Sequence, residues 1–460
     1  MPRAALAAKH VVQVIFVLLA CASFSACGGD AKRSENVVQK VSPTPWTIMV
    51  YMNAKNNLEG DAIDNFYEIA QVQGIDRVNL LVEMGRPKNH YSKVDEAWDG
   101  VMRFRVTGKE SKPRRASALD ALGDVDMASP ETLRRFVEWS MEHYPAQRYM
   151  LIVWNHGQGW RFQRALKKQL RDQGARRAVS DVTLADLSNA DTPGVGGFRA
   201  ISYDEDSGNL LYNRQLQDEL QGLAKSGKRI DVLGFDACLM AMVETAYAFR
   251  SISKVMIASE ELEPGAGWPY LDWLSRLVSK PSATPQEVGA MVVEAYGRRY
   301  GNNYLTTLSA IELGRVEMLA QKISALSTTI LQSPQEMDAL VHVRKGVRGY
   351  GDWATPSLGF SVDLDFLLRS LEKMTTNATV LARSHDVRQE LGRTVIRVYA
   401  SSRLLNEYGG AGLAIYYPNG RTEFDRDDYR DGYRVSNTFH PVEFVQKEAW
   451  SQMLAGILGI

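Results

Sequence analysis

Tyr149-Met150-Leu151-Ile152-Val153-Trp154 runs directly into Asn155-His156-Gly157-Gln158-Gly159, and this stretch decides how the rest of the chain is read. An apolar run this short, rich in branched and aromatic side chains and ended by polar and glycine residues, is the pattern of a strand covered on both faces. Working outward, runs of the same kind occur at 46–52, 78–84, 230–235 and 254–258. Helical patterns lie between them. Ser129-Pro130-Glu131 opens a helix over 132–143, and Thr284-Pro285-Gln286-Glu287 is a capping box ahead of a helix over 288–298. Strands alternating with helices predict an α/β fold: a mostly parallel β-sheet sandwiched between helices. In such sheets the ligand crevice lies beyond the carboxyl ends of the strands.

Two of those strand ends carry reactive side chains. The 149–154 strand delivers His156, and the 230–235 strand delivers Asp236-Ala237-Cys238-Leu239-Met240. If the two strands are neighbours, an imidazole and a thiol meet on one edge, as a cysteine nucleophile requires. Helical spacing over 239–249 predicts a helix starting beside Cys238, which would lower the thiol pKa. Backbone N–H groups of Gly157 and Cys238 are the candidates to face an oxyanion, glycine allowing the main chain to approach a substrate closely. Taken singly, His156 reads more readily as a polar loop residue than as a catalyst, and Asp236 more readily as a helix cap; their conjunction with Cys238 carries the weight.

Composition narrows the partners. Lysine plus arginine equals aspartate plus glutamate, 54 each among 460 residues, so no global basic field points to nucleic acid. His10, His90, His143, His156, His342, His385 and His440 are scattered, without the paired spacing of a metal hydrolase. The first 27 residues read as a lipoprotein signal peptide: Arg3 and Lys9 precede an apolar run over 11–20, then small residues. Either Cys27 or Cys21 can carry the lipid, and Ser25-Ala26 before Cys27 and Gly28-Gly29 after it favour Cys27. Residues 28–45 are polar and suit a tether. With the signal cysteines accounted for, Cys238 is the one thiol left, so an exported chain carries a lone cysteine and no intramolecular disulfide.

These segments, taken in order, resemble the clostripain family of cysteine peptidases. The resemblance rests on Trp46 to Glu59, Asn155-His156-Gly157, Asp236 to Met240, Ala258-Ser259-Glu260-Glu261, Glu263 to Trp268, and Gly412 to Pro418, spanning roughly 45–420. It implies a caspase-like fold, a catalytic dyad of His156 and Cys238, a polypeptide substrate, and Asp236 as the acidic residue of an S1 pocket that favours arginine or lysine. A carboxylate there can take a guanidinium in a bidentate pair. Family members can carry a second acid after the Pro-Gly of the 264–270 region; Ala266 and Pro269 stand here instead, leaving Glu260, Glu261 or Glu263 as candidates to supply it.

The expected organisation is a peptidase core over 46–311 and a C-terminal subdomain over 312–460, with 412–418 as a late strand rejoining the sheet. Within the core, 161–195 is a long basic loop, and the resemblance implies a zymogen cut between histidine and cysteine. Lys167, Lys168, Arg171, Arg176 and Arg177 are the self-cleavage candidates. The product is expected to be a monomer, in two chains after processing, held at a membrane by its lipid. No cofactor is required by the chemistry. Calcium dependence is a family property, and Asp204, Glu205, Asp206 and Asn209 form the acidic loop that would bind it. A cysteine transpeptidase or ligase on the same fold, and a surface lipoprotein that only binds, are the alternative readings.

Overall fold

A computed structural model describes residues 43–92, 96–108, 112–160, 201–351, 359–427, 430–438 and 441–460. The signal segment with Cys21 and Cys27, and the basic loop with Lys167, Lys168, Arg171, Arg176 and Arg177, lie outside the described residues. From Pro43 to Ile460 the chain is one compact unit. No helix among the described residues is long and apolar enough to cross a membrane.

In chain order the strands are β1 (Thr44–Asn53), β2 (Asn79–Arg86), β3 (Gly100–Arg105), β4 (Asp120–Gly123), β5 (Ala146–Trp154), β6 (Ser202–Asp204), β7 (Asn209–Leu211), β8 (Val232–Asp236), β9 (Val255–Ala258), β10 (Thr307–Glu312), β11 (Ser361–Asp363), β12 (Val395–Ala400) and β13 (Ala414–Tyr416). Nine of them form one sheet in the order β12-β10-β9-β8-β5-β1-β2-β3-β4. Its centre, β2-β1-β5-β8-β9, is parallel throughout, and the antiparallel strands lie at the two flanks. The five apolar runs expected to be buried parallel strands are these five.

The unbroken apolar runs divide between two cores, because successive side chains point to opposite faces. Met49, Tyr51, Leu151 and Val153 enter one core, while Ile48, Val50, Met52, Met150, Ile152 and Trp154 enter the other. With apolar residues on both faces, polarity alone does not set strand register. Shape helps at one point: a Cβ on Gly234 would lie 2.7 Å from the Trp268 ring, so a glycine in mid-strand admits that indole. Helices α1 (Glu59–Ala70), α2 (Pro130–His143), α3 (Asn213–Lys225), α4 (Val243–Phe249), α5 (Tyr270–Ser279), α6 (Pro285–Tyr300) and α7 (Val316–Leu331) follow in order. The capping box before α6 forms as expected: Glu287 N donates to Thr284 Oγ1, and Thr284 N to Glu287 Oε2 at 2.8 Å.

Two expectations need correction. The late strand does not rejoin the main sheet. Instead β13 pairs antiparallel with β11 in a separate ribbon, touching the nucleophile loop by a bridge from Ala414 to Met242. The strand that does rejoin is β12, whose exposed Arg397 and Val398 give it no fully apolar run. The helix expected from 239 starts only at Val243, and residues 238–242 form an irregular turn.

Candidate active site

Strand register assembles the site. Met52, Trp154 and Asp236 lie in one row across β1, β5 and β8, so the three chains leave the sheet side by side. Asn155 ties the exits together: its Nδ2 donates to the carbonyls of Asn53 at 2.5 Å and Tyr203 at 3.3 Å, while its Oδ1 accepts from His156 N and Tyr203 N. Asn155 N in turn donates to Asp236 O at 3.3 Å.

The His156 ring is half-buried, with Nε2 2.9 Å from Asn57 Oδ1. An amide oxygen only accepts, so this contact places the ring proton on Nε2 and leaves the Nδ1 lone pair available. Burial lowers the imidazole pKa to about 4, keeping the ring neutral over the ordinary range. Asn57 was not singled out from the sequence. It lies 99 positions before His156, within the Trp46–Glu59 segment that carries the resemblance, where no role was assigned to it.

Opposite, Gly157 rests on the nucleophile turn. A Cβ there would fall 2.3 Å from Cys238 O and 2.9 Å from Cys238 N, so only glycine lets the two main chains approach this closely. The turn is strained: Leu239 has φ 59°, the left-handed region, which costs a residue with a Cβ roughly 1–2 kcal/mol. Two bonds to the chain after β9 hold it, Leu239 N to Glu261 O and Ala241 N to Ser259 O. The Cys238 sulfur accepts from Glu263 N at 3.3 Å, but burial pushes the thiol up to about 12. The lowered thiol pKa expected from the sequence is therefore reversed, because α4 begins four residues late, so the sulfur is not set at a helix end, and the protein packed around it disfavours the thiolate.

Beyond the sulfur lies an acidic wall. Asp236 Oδ2 accepts from Trp268 N at 3.2 Å and from the Tyr270 hydroxyl at 2.9 Å. Glu263 hydrogen-bonds Asp236 and takes the Trp268 indole N–H at 3.1 Å. Burial raises both carboxyls above the ordinary carboxylate range, with mutual repulsion adding to the shift of Glu263. Of the three glutamates offered by the sequence, only Glu263 reaches Asp236. Glu260 accepts from Gly412 N and pairs with Asp363, and Glu261 accepts from Leu262 N and Gly351 N. The wall is braced from behind by Asn65 and Arg299 on Ala266 O, and by the Tyr300 hydroxyl on Gly267 O.

The acidic loop is not shaped for calcium. Asp204 and Asp206 converge on the Lys55 ammonium at 3.4 and 3.3 Å; Glu205 takes the Tyr91 hydroxyl, and Asn209 donates to Asp126. A dication at that point would meet a fixed positive charge, so these residues do not fit one. A surface cleft of about 1040 Å³ between α1, α5 and α6 contains neither His156 nor Cys238. Its arginines are already paired, Arg298 and Arg276 with Asp272 and Arg299 with Glu68, so it is a closed salt-bridge lattice rather than a second site.

With the fold and this geometry in hand, comparison with known proteins is specific. The clostripain family profile matches residues 50–190 and 196–456. Clostripain of Hathewaya histolytica is 22% identical over 443 residues, covering 86% of this chain and 77% of that protein. Two solved structures share the fold. An inactive zymogen protease from Parabacteroides distasonis has a TM-score of 0.56 and 19% identity, over 82% of this chain and 93% of that one. A secreted cysteine protease from Bacteroides thetaiotaomicron, bound to an irreversible peptide inhibitor, also has a TM-score of 0.56, with 18% identity over 87% and 97%. A match over most of the chain, together with a caspase-like sheet, decides the matter: this protein belongs to the clostripain family and is a cysteine-type endopeptidase.

Proposed function

We propose that the chain hydrolyses peptide bonds after arginine or lysine, using Cys238 as nucleophile and His156 as general base and acid. The observation that carries this reading is the seat of Gly157 on Cys238, which brings the histidine and cysteine loops into direct contact. In the free enzyme both groups are neutral, since burial lowers the imidazole and raises the thiol. Proton transfer therefore accompanies attack. The thiol proton passes to His156 Nδ1 as sulfur bonds to the scissile carbonyl carbon. The C–N bond then breaks, the amine leaves with that proton, and a thioester remains. Water adds to the thioester, giving its proton to His156, and the C–S bond breaks to restore the thiol. Main-chain N–H groups of Gly157 and Cys238 are assigned to the oxyanion. Asp236, supported by Glu263, takes the basic P1 side chain.

With the same specificity the enzyme would cut its own 161–195 loop after Lys167, Lys168, Arg171, Arg176 or Arg177, giving a light chain with His156 and a heavy chain with Cys238. The signal-like N-terminus assigns the protein to the exported side of a membrane, held by a lipid on Cys27. Treating the protein with an arginine- or lysine-directed covalent electrophile and mapping the adduct by mass spectrometry tests the core of this reading. One adduct, on Cys238, is expected. An adduct elsewhere, or none on active enzyme, overturns it.

Asn57 is assigned as the residue that positions His156. Asn57→Ala is expected to lower kcat about ten- to a hundredfold with KM little changed, since small misplacements of a catalytic group cost that much. Asn57→Asp adds a negative charge beside Nε2 and favours imidazolium, so the acid limb of the kcat profile should move to higher pH. An unmoved limb would deny the contact a role in catalysis.

A further inference from the structure

Lys55 follows the last residues of β1, and its side chain passes Gly85, where a Cβ would crowd its Cγ at 2.9 Å. The ammonium then ends among four oxygens: Asp124 Oδ1 at 3.2 Å, Asp204 Oδ2 at 3.4 Å, Asp206 Oδ2 at 3.3 Å and Val125 O at 3.1 Å. The Lys55 side chain is 1% exposed, and those of Asp204 and Asp206 are 0% and 8% exposed. Burial opposes its charge, but the surrounding carboxylates prevail and hold the lysine above its ordinary pKa. Oxygens from two separate segments, the turn after β4 and the β6–β7 hairpin, thus converge on one buried cation carried by a third. That is how a bound hard cation joins loops, except that here the charge is covalently attached.

What the junction holds is the histidine side of the site. The hairpin returns Glu205 N to Lys55 O at 2.8 Å and Tyr203 O to Asn56 Nδ2 at 2.9 Å and Asn53 Nδ2 at 3.0 Å. Tyr203 also exchanges bonds with Asn155, the neighbour of His156. Two residues beyond Lys55, Asn57 accepts from the His156 ring. We propose that the Lys55 ammonium stands where a divalent cation would otherwise join these loops, and that it positions the Asn57–His156 contact so that this peptidase works without calcium. The proposal rests on His156 being the general base.

The test uses the full chain with an arginyl peptide substrate. Wild-type kcat should be unchanged by a chelator and by millimolar CaCl2. Lys55→Met should lower kcat at least tenfold with KM within about twofold, and CaCl2 should restore kcat severalfold where NaCl of equal ionic strength does not; Lys55→Arg should keep most activity. The thermal midpoint of K55M should rise with CaCl2 while that of wild type does not. Chelator inactivation of wild type overturns the proposal without reference to any variant. So does K55M with wild-type kcat, or with low kcat and a thermal midpoint indifferent to calcium. Electrophile labelling of Cys238 separates the two levels. Wild type that is inactive and unlabelled refutes the assignment of the dyad, whereas labelled, active wild type matched by K55M refutes only the role of Lys55.

Discussion

Cys238→Ala should lose at least four orders of magnitude in kcat on a basic peptide, together with all labelling by a P1-directed electrophile. The magnitude follows from covalent catalysis: with no nucleophile no thioester forms, and what remains is binding plus any oxyanion stabilisation, which leaves only a small residual rate. The substitution removes one partly covered sulfur, whose polar partner in the structure is the Glu263 main chain, so folding should change by no more than about 1 kcal/mol. Loss of activity with an unchanged thermal midpoint is thus the expected pair of results. The same variant reports on processing. Expressed alone, it should remain a single chain, and added wild type should cut it between 161 and 195. A variant cleaved at the wild-type rate without added enzyme would show that another protease makes the cut.

Asp236→Asn should lower kcat/KM for arginyl and lysyl substrates by about a thousandfold while leaving a neutral P1 substrate nearly unaffected. The carboxylate is buried, and a cation brought to a buried neutral amide loses its pairing charge after its own water has been stripped, a loss of several kcal/mol. The amide oxygen can still accept from Trp268 N and the Tyr270 hydroxyl, so the wall should keep its shape. The wild-type pH dependence adds a second signature. Burial raises both Asp236 and Glu263, so below their raised range the pair is protonated and a basic side chain must displace a proton to bind. Affinity for arginine should accordingly rise as pH rises through that range, and Asp236→Asn should flatten the rise. Equal losses on basic and neutral substrates would remove Asp236 from specificity and make it a structural residue.

Much of this was legible in the residues. The five apolar runs became the five parallel strands because a strand buried on both faces has no polar position to disguise it. His156 and Cys238 were placed on one edge because parallel strands all end at the same side of a sheet. The edge strand β12 was missed for the opposite reason: its solvent-facing Arg397 and Val398 blur the pattern. The helix after Cys238 was drawn four residues too early because the periodicity of 239–242 is met by a turn held from outside, through bonds to Ser259 and Glu261.

The sequence by itself determined the class of fold, the two loops that meet, and the family. Only the tertiary structure decided that Asn57 rather than any acid holds the imidazole, that Glu263 rather than Glu260 or Glu261 joins Asp236, and that Lys55 fills the acidic loop. Strand periodicity is a local property that hydrophobic burial imposes residue by residue. A hydrogen bond or ion pair between side chains tens of positions apart depends on where several loops end, and that is set by packing of the whole sheet and its helices.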